Sequence, residues 1–204
     1  MSNLILIGAG GHARSCIDVL EQEGLNRIVG LLDNRLTKIG ENVLGYPILG
    51  SDEILITVRN SATHVLVCIG QVRDVEPRVR VFNYAKELGY KGAIVISPRA
   101  SVSASSIIRD GTVVMHGAIV NAGAVIGENC IVNTHAIIEH DVEVGDHCHI
   151  STGAILNGGV QVGSGSFVGS GATISNDIIV GKNCFIPLGA RVINHVDSDK
   201  ATLE

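Results

Sequence analysis

The spacing of hydrophobic residues divides the chain into two parts. From Ile96 to Val192 every sixth residue is aliphatic, at all 17 positions. The residue four places after each is mostly alanine, serine, threonine or cysteine. A period of six fits neither an α-helix nor a simple strand and indicates stacked structural repeats.

The part before Ile96 has a different pattern. Three short apolar runs, Leu4–Gly8, Ile28–Leu32 and His64–Gly70, are separated by polar segments with helical spacing. They predict strands, with a helix over Val75–Leu88 and a further strand over Ala93–Ile96. The alternation of strand and helix is typical of a Rossmann-like βαβ unit.

A glycine-rich turn follows the first predicted strand. Gly8, Gly10 and Ala13 fit the pattern G-x-G-x-x-[GA], and the acidic Asp33 stands about 20 residues later. Glycine permits close backbone approach, and the helix start presents free N–H groups to an anion such as a diphosphate. The same turn is compatible with simple packing of helix on sheet, and Asp33 with either a ribose contact or a turn cap. The unit is short for a dinucleotide fold, so a mononucleotide or nucleotide-sugar fits it better.

Composition excludes several classes of protein. The chain has 204 residues, a net charge of −5, 46% hydrophobic and only 3% aromatic residues. The negative charge argues against a nucleic-acid binder, and no apolar run is long enough for a membrane helix. The N-terminus lacks the basic segment of a signal peptide and the five cysteines form no close pairs, so we expect a cytoplasmic protein.

Charge also separates the two parts. Residues 1–95 carry 10 basic and 10 acidic residues, whereas residues 96–204 carry 5 and 10. We therefore predict two domains, 1–95 and 96–204, with different tasks.

The repeat resembles the hexapeptide repeat of left-handed parallel β-helix proteins, in which three hexads form one coil of a triangular prism. In that register Cys130, Cys148 and Cys184 fill the small inward position, so we expect packing and no catalytic thiol.

Four histidines lie within fifteen residues of the repeat. His135, His140, His147 and His149 fall on three different faces of the prism, which makes a zinc site improbable, and no metal is expected. His140 should point outward, between the small residues Ala122 and Gly158 one coil away.

The carboxylates of Glu139 and Asp141 flank His140. Either carboxylate can fix the imidazole tautomer, as a general base requires, although a solvated surface histidine is the plain alternative.

The combination resembles a known bacterial family. A nucleotide-type βαβ domain followed directly by hexads that contain Ile138-Glu139-His140-Asp141 is similar to the sugar acyltransferases of the sialic acid O-acetyltransferase-like group. That group includes N-acetyltransferases of nucleotide-linked 4-amino sugars. The segments Gly8–Ala13, Ile69-Gly70 and Asn133-Thr134 also carry the resemblance.

The resemblance implies a fold, ligands and site residues. It implies an α/β Rossmann-like domain joined to a left-handed β-helix, in homotrimers whose active sites lie between protomers. Acetyl-CoA is the implied co-substrate and a nucleotide-linked amino sugar the substrate, without nucleic acid or membrane insertion. Implied site residues are His140 and Asp141 as base and orienting carboxylate; Gly10, Gly11, His12, Asp33, Asn34, Gly70 and Asn133 for the nucleotide-sugar; and His149, Gly158 and Ser170 for the cofactor.

The predicted function is acetyl transfer to the 4-amino group of a nucleotide-linked 4-amino-4,6-dideoxy sugar, for surface glycan (lipopolysaccharide) biosynthesis. The alternative is O-acetylation of sialic acid or a related sugar, because the same base serves a hydroxyl. A zinc enzyme of the carbonic-anhydrase type and a non-catalytic scaffold are the remaining alternatives.

Overall fold

The computed structural model describes residues 2–35 and 39–200. Its N-terminal part is a six-stranded sheet in the order β3-β4-β2-β1-β5-β6. The strands are β1 (Ser2–Ile7), β2 (Asn26–Leu32), β3 (Asn42–Val43), β4 (Tyr46–Gly50), β5 (His64–Val67) and β6 (Lys91–Gly92). The helices are α1 (Gly11–Glu23), the single turn α2 (Leu55–Val58) and α3 (Glu76–Glu87).

The central strand β1 decides where a ligand can bind. It pairs in parallel with β2 on one side and β5 on the other, and among the strands that the structure describes only β3 is antiparallel to its neighbour. The chain therefore turns in opposite directions from β1, and a crevice opens beyond the carboxyl ends of β1 and β5.

Alternate side chains of β1 pack on opposite faces of the sheet. Leu4 and Leu6 join the cluster of buried residues that includes the apolar side of α1. Ile5 and Ile7 join the cluster that includes Val81, Phe82 and Ala85 of α3. The period of two along the strand thus places one helix on each face.

The C-terminal part is a left-handed parallel β-helix of very short strands. Each strand has two residues and pairs with the strand eighteen residues away, so that three parallel sheets form the sides of a prism. Sheet C contains β7 (Val95–Ile96), β10 (Val113–Val114), β13 (Ile131–Val132), β16 (His149–Ile150), β19 (Phe167–Val168) and β22 (Phe185–Ile186). Sheet D contains β8 (Ser101–Val102), β11 (Ile119–Val120), β14 (Ile137–Ile138), β17 (Ile155–Leu156), β20 (Thr173–Ile174) and β23 (Arg191–Val192). Sheet E contains β9 (Ile107–Ile108), β12 (Val125–Ile126), β15 (Glu143–Val144), β18 (Gln161–Val162) and β21 (Ile179–Val180).

The predicted six-residue repeat is confirmed by the interior of the prism. Every aliphatic residue of the series belongs to its hydrophobic core or packs against it. The small inward slots of one corner hold a ladder in which each hydroxyl or thiol donates to a backbone carbonyl of the next coil. Its members are Thr112, Cys130, Cys148, Ser166 and Cys184. The three cysteines of the repeat are buried in this ladder, as the register predicted.

One predicted strand is shorter than expected, because Ala93 and Ile94 lie outside any strand. The sequence predicts a single strand over Ala93–Ile96, whereas the structure ends β6 at Gly92 and starts β7 at Val95. The chain leaves the N-terminal sheet and enters the prism at this point, so two different sheets supply the hydrogen-bond partners.

The two parts share a packed boundary. Val95, Val113 and Ile131, the outward residues of sheet C, are buried in the same cluster as the apolar side of α1. Among the described residues, no helix is long and apolar enough to cross a membrane.

Candidate active site

The glycine-rich turn forms one wall of a cavity of about 430 Å³, which we call the turn cavity. Gly8 has φ +107, and a Cβ there would lie 2.9 Å from Ile69, so glycine is required for the approach of β1 to β5. A Cβ on Gly10 or Gly11 would meet nothing within 4 Å, which leaves open space over the start of α1. The unpaired N–H groups at that helix start can receive an anion.

The turn cavity gathers most of the predicted substrate-binding residues. It is lined by Gly10, Gly11, His12, Asp33, Asn34 and Gly70, together with neighbouring residues. A larger cavity, about 820 Å³, lies between α3 and the end of β4 and shares Asn34 and Asp52 with the turn cavity. The shared lining leaves room for a ligand longer than a diphosphate.

The carboxylate of Asp33 is hydrogen-bonded to other groups of the same chain. Its buried carboxylate accepts a hydrogen bond from the N–H of Ala9 (2.9 Å) and a bidentate pair from the Arg35 guanidinium (2.7 and 2.5 Å). These hydrogen bonds, those from Arg35 above all, lower the pKa of Asp33 to about 2. The sequence reading missed Arg35, which also lines the cavity; its position two residues after Asp33 is the only available signal.

A third cavity, of about 390 Å³, lies where the N-terminal part meets the prism, and we call it the junction cavity. His12 and Gly70 line both cavities, so the two are adjacent. Asn133 and His149 complete the junction cavity from the side of the prism. The structure therefore brings these two predicted residues next to the nucleotide-type turn.

His149 holds a fixed, neutral tautomer. Its Nδ1 lies 2.6 Å from the carbonyl oxygen of Gln71, which can only accept, so Nδ1 carries the proton. Nε2 then accepts from the Nδ2 of Asn133 at 3.0 Å. Burial lowers the pKa of His149 to about 4, so the ring is uncharged at neutral pH.

His140 has the opposite environment. It lies in the turn after β14, its side chain is 62% exposed, and its Nδ1 is 2.9 Å from a carboxylate oxygen of Asp141. That hydrogen bond raises the pKa of His140, with further contributions from the negative charges of Asp141 and Glu139. Glu139 itself accepts from the Asn121 amide, so Asp141 is the carboxylate that contacts the imidazole.

The imidazole of His140 occupies the space that Gly158 leaves in the next coil. A Cβ on Gly158 would lie 2.6 Å from the ring, which shows how closely the next coil approaches it. Asp141 has φ +59 and donates its N–H to the carbonyl of Ala122 in the coil before. Aspartate tolerates this left-handed conformation better than most residues.

The predicted residues of the prism lie on two different corners. His140, Asp141 and Gly158 occupy the corner between sheets D and E, which we call the His140 corner. Asn133 and Ser170 occupy the corner between sheets C and D, beside the junction cavity, which we call the Asn133 corner. Ser170 contacts Ser151 there at 2.9 Å.

The two corners lie on opposite sides of sheet D. From Asn133 to Glu139 the chain crosses the whole width of sheet D, which is at most about 20 Å of extended backbone. The outward surface of sheet D between them carries three partly buried isoleucines, which we call the aliphatic stripe: Ile119, Ile137 and Ile155.

Metal ligands do not cluster in the described residues. Over 2–35 and 39–200 there is no group of three or more His, Cys, Asp or Glu side chains that could hold a metal ion.

Comparison with known proteins identifies the family to which the chain belongs. The PglD N-terminal domain family matches residues 3–85, and the bacterial transferase hexapeptide family matches residues 123–158 and 141–176. The acetyltransferase domain of PglB from Neisseria gonorrhoeae, solved with acetyl coenzyme A, is 32% identical, with a TM-score of 0.90 over 98% of this chain and 96% of that one. The chain belongs to this family of hexapeptide-repeat sugar acetyltransferases.

Two further solved structures resemble this acetyltransferase. PerB from Caulobacter crescentus, in complex with CoA and GDP-perosamine, is 30% identical, with a TM-score of 0.91 over 98% of this chain and 93% of that one. WeeI from Acinetobacter baumannii is 20% identical, with a TM-score of 0.88 over 100% and 97% of the two chains, and supports the fold alone. No curated protein sequence matches the chain significantly.

Proposed function

We propose that this acetyltransferase transfers the acetyl group of acetyl-CoA to the 4-amino group of a nucleotide-linked 4-amino-4,6-dideoxy sugar. The observation that carries the proposal is the exposed His140 imidazole, paired with Asp141 and left free at Nε2 beside Gly158. The turn cavity supplies a diphosphate-sized pocket with open glycines at a helix start. The resemblance to PerB, solved with GDP-perosamine, supports an amino-sugar substrate.

In the proposed mechanism His140 is the general base. Nε2 takes a proton from the sugar amine as its nitrogen attacks the thioester carbonyl carbon, and Asp141 orients the ring and stabilises the imidazolium. The C–S bond then breaks, and the proton passes from His140 to the departing CoA thiolate. A backbone N–H near Gly158 is the proposed donor to the oxyanion. In this scheme Asn133 contacts the amine, and His149, Gly158 and Ser170 border the acetyl-pantetheine arm.

The proposed division of labour follows the two parts of the chain, with residues 1–95 holding the nucleotide-sugar and residues 96–204 holding acetyl-CoA. All five cysteines are free thiols, which suits a reducing cytoplasm, where nucleotide-sugars for surface glycans are made.

We further propose a homotrimer with its active sites between protomers. His140 and Asn133 lie on different corners of one prism, and in this proposal the two residues that meet one substrate come from neighbouring protomers. Association along the aliphatic stripe would bury Ile119, Ile137 and Ile155 and set the His140 corner of one copy against the Asn133 corner of the next.

The test is turnover with a panel of substrates. Purified protein, acetyl-CoA and UDP-, GDP- or dTDP-linked 4-amino sugars are incubated, and CoA thiol release is followed together with the mass gain of one acetyl group. We expect turnover with one of the amino sugars and a loss of roughly 10²- to 10⁴-fold in kcat for His140→Asn. The matched control is His64→Asn, a half-buried histidine at the start of β5 that lines neither the turn cavity nor the junction cavity and should retain full activity.

Two results would overturn the proposal. Acetylation of sialic acid or another sugar hydroxyl, with no amino sugar accepted, would establish the O-acetyltransferase alternative. Full activity of His140→Asn would show that another group is the base.

A further inference from the structure

The loop after β5 is a wall shared by both cavities. Ile69 and Gly70 line the turn cavity, and Gly70 and Gln71 line the junction cavity. The position of this loop therefore sets the width of the proposed nucleotide-sugar pocket and its distance from Asn133.

The β-helix holds the far end of this loop. The Gln71 carbonyl accepts from His149 at 2.6 Å, and the Gln71 side-chain amide donates to the carbonyl of Gly165 at 3.2 Å. Both partners belong to sheet C or its adjacent corner, so the loop is tied across the boundary between the two parts.

Arg78 holds the near end of the loop. This residue of α3 is 1% exposed, and its Nη1 donates to the carbonyls of Val67 (3.0 Å) and Ile69 (2.5 Å). Its Nη2 donates to the carbonyl and the side-chain oxygen of Asn129, a corner residue of the prism, both at 2.9 Å. One guanidinium thus joins the loop and the β-helix.

Burying the guanidinium of Arg78 costs free energy. Removing a guanidinium from water carries a large penalty unless its donors are well placed, and burial lowers the pKa of Arg78 to about 10, which still leaves it charged at neutral pH. The planar fork of arginine fits two pairs of acceptors at once, which a lysine ammonium cannot do in the same geometry.

Arg78 lines neither cavity, so it does not touch a ligand held there. We propose that Arg78 is a positioning residue that fixes the 67–71 loop against the β-helix, so that the turn cavity and the junction cavity keep the spacing that a nucleotide-linked sugar requires. This inference rests on the proposed function, because it assumes that the ligand of the turn cavity carries the acetyl acceptor.

A positioning role for Arg78 can be distinguished from a general role in folding, because it should affect the binding of one ligand more than that of the other. The loop lines the proposed nucleotide-sugar pocket directly, whereas the residues assigned to acetyl-CoA belong to the β-helix and only His149 among them contacts the loop. A loosened loop should therefore weaken the nucleotide-sugar far more than CoA. General destabilisation would affect both ligands alike.

The experiment compares Arg78→Lys with wild type. Binding of UDP, GDP and dTDP and of CoA is measured by calorimetry, and KM for the accepted amino sugar and for acetyl-CoA by steady-state kinetics. We expect Kd for the preferred nucleoside diphosphate and KM for the sugar to rise roughly 10- to 100-fold, with the CoA values within about twofold of wild type. The control is Arg59→Lys, an exposed arginine that also donates to a carbonyl, that of Gly89, and should change neither.

A second variant covers the case in which Arg78→Lys does not fold. Asn129→Gly removes one acceptor of Arg78 and keeps the carbonyl, and glycine readily adopts the φ of +51 found there. It should weaken the nucleotide in the same direction but by less.

The outcomes distinguish the two proposals. Equal loss of nucleotide and CoA binding, or unchanged nucleotide binding in both folded variants, would overturn the role of Arg78 alone. Failure of all three nucleoside diphosphates to bind wild-type protein would overturn the proposed substrate class, and this inference with it.

Discussion

Gly158 occupies the coil after His140, and a Cβ at that position would lie 2.6 Å from the imidazole ring. Gly158 has no left-handed φ, so alanine strains no backbone there, and the exposed ring would have to move. Because Gly158 has no side chain, the imidazole of His140 in the neighbouring coil has space to lie beside Asp141.

Gly158→Ala should therefore fold and lose activity. We expect unfolding free energy within about 1 kcal/mol of wild type, since the displaced ring is solvent-exposed, and kcat lower by roughly 10-fold or more. A double-mutant cycle checks the cause: in a His140→Ala background the same change should cost nothing further. Additive losses would show that Gly158 acts independently of His140.

Asp141→Asn should shift the pH dependence of the reaction. Asp141 raises the pKa of His140, and the base acts only when neutral, so wild-type kcat/KM should rise with pH above the ordinary histidine range. Asparagine tolerates the left-handed φ of +59 but removes the charge, so the acidic limb should move to lower pH while the plateau falls. A limb that stays in place would mean that Asp141 does not set the pKa of the base.

His149 should make folding stability depend on pH. Its pKa is about 4 in the folded protein, against 6.5 for an ordinary histidine, so the unfolded chain binds more protons between these values. Stability from this group is fully present above pH 6.5 and falls as the pH drops towards 4, by about 3 kcal/mol over the window. Denaturant unfolding at several pH values measures it, and His149→Asn should flatten the profile in that window.

Cys148→Ser should be tolerated. The Cys148 thiol donates to the carbonyl of Gly163, and Ser166 fills the same slot one coil later with a hydroxyl that donates to Gly181. We expect a change within about 1 kcal/mol and full activity, whereas Cys148→Leu should cost roughly 1–3 kcal/mol because the slot has no spare volume. Loss of turnover in the serine variant without loss of stability would indicate a catalytic thiol.

Mixed trimers should recover activity if the sites lie between protomers. Neither His140→Ala nor Asn133→Ala alone should be active, but in co-expressed trimers about a quarter of the sites would pair an intact His140 corner with an intact Asn133 corner. The control pairs His140→Ala with Gly158→Ala, both on one corner, and should not exceed the activity of Gly158→Ala alone. Absence of recovery, with mixed trimers demonstrated by differential tagging, would contradict the shared site.

The repeat architecture could be predicted before any tertiary contact was known. The uninterrupted period of six from Ile96 to Val192 predicted stacked repeats with a continuous aliphatic interior, and the resemblance to hexapeptide-repeat proteins implied that these repeats form a prism. The same register placed His140 outward beside Gly158 and sent the cysteines inward, because side-chain direction in a regular repeat follows from position alone.

The contacts between the two parts of the chain could not be predicted from the sequence. His140 contacts Asp141 and not Glu139, because the Glu139 carboxylate accepts a hydrogen bond from Asn121 in the preceding coil. The hydrogen bonds of Arg78 and of His149 join residues 51 and 78 positions apart. Such contacts follow from packing between separate elements, which no local period in the sequence encodes.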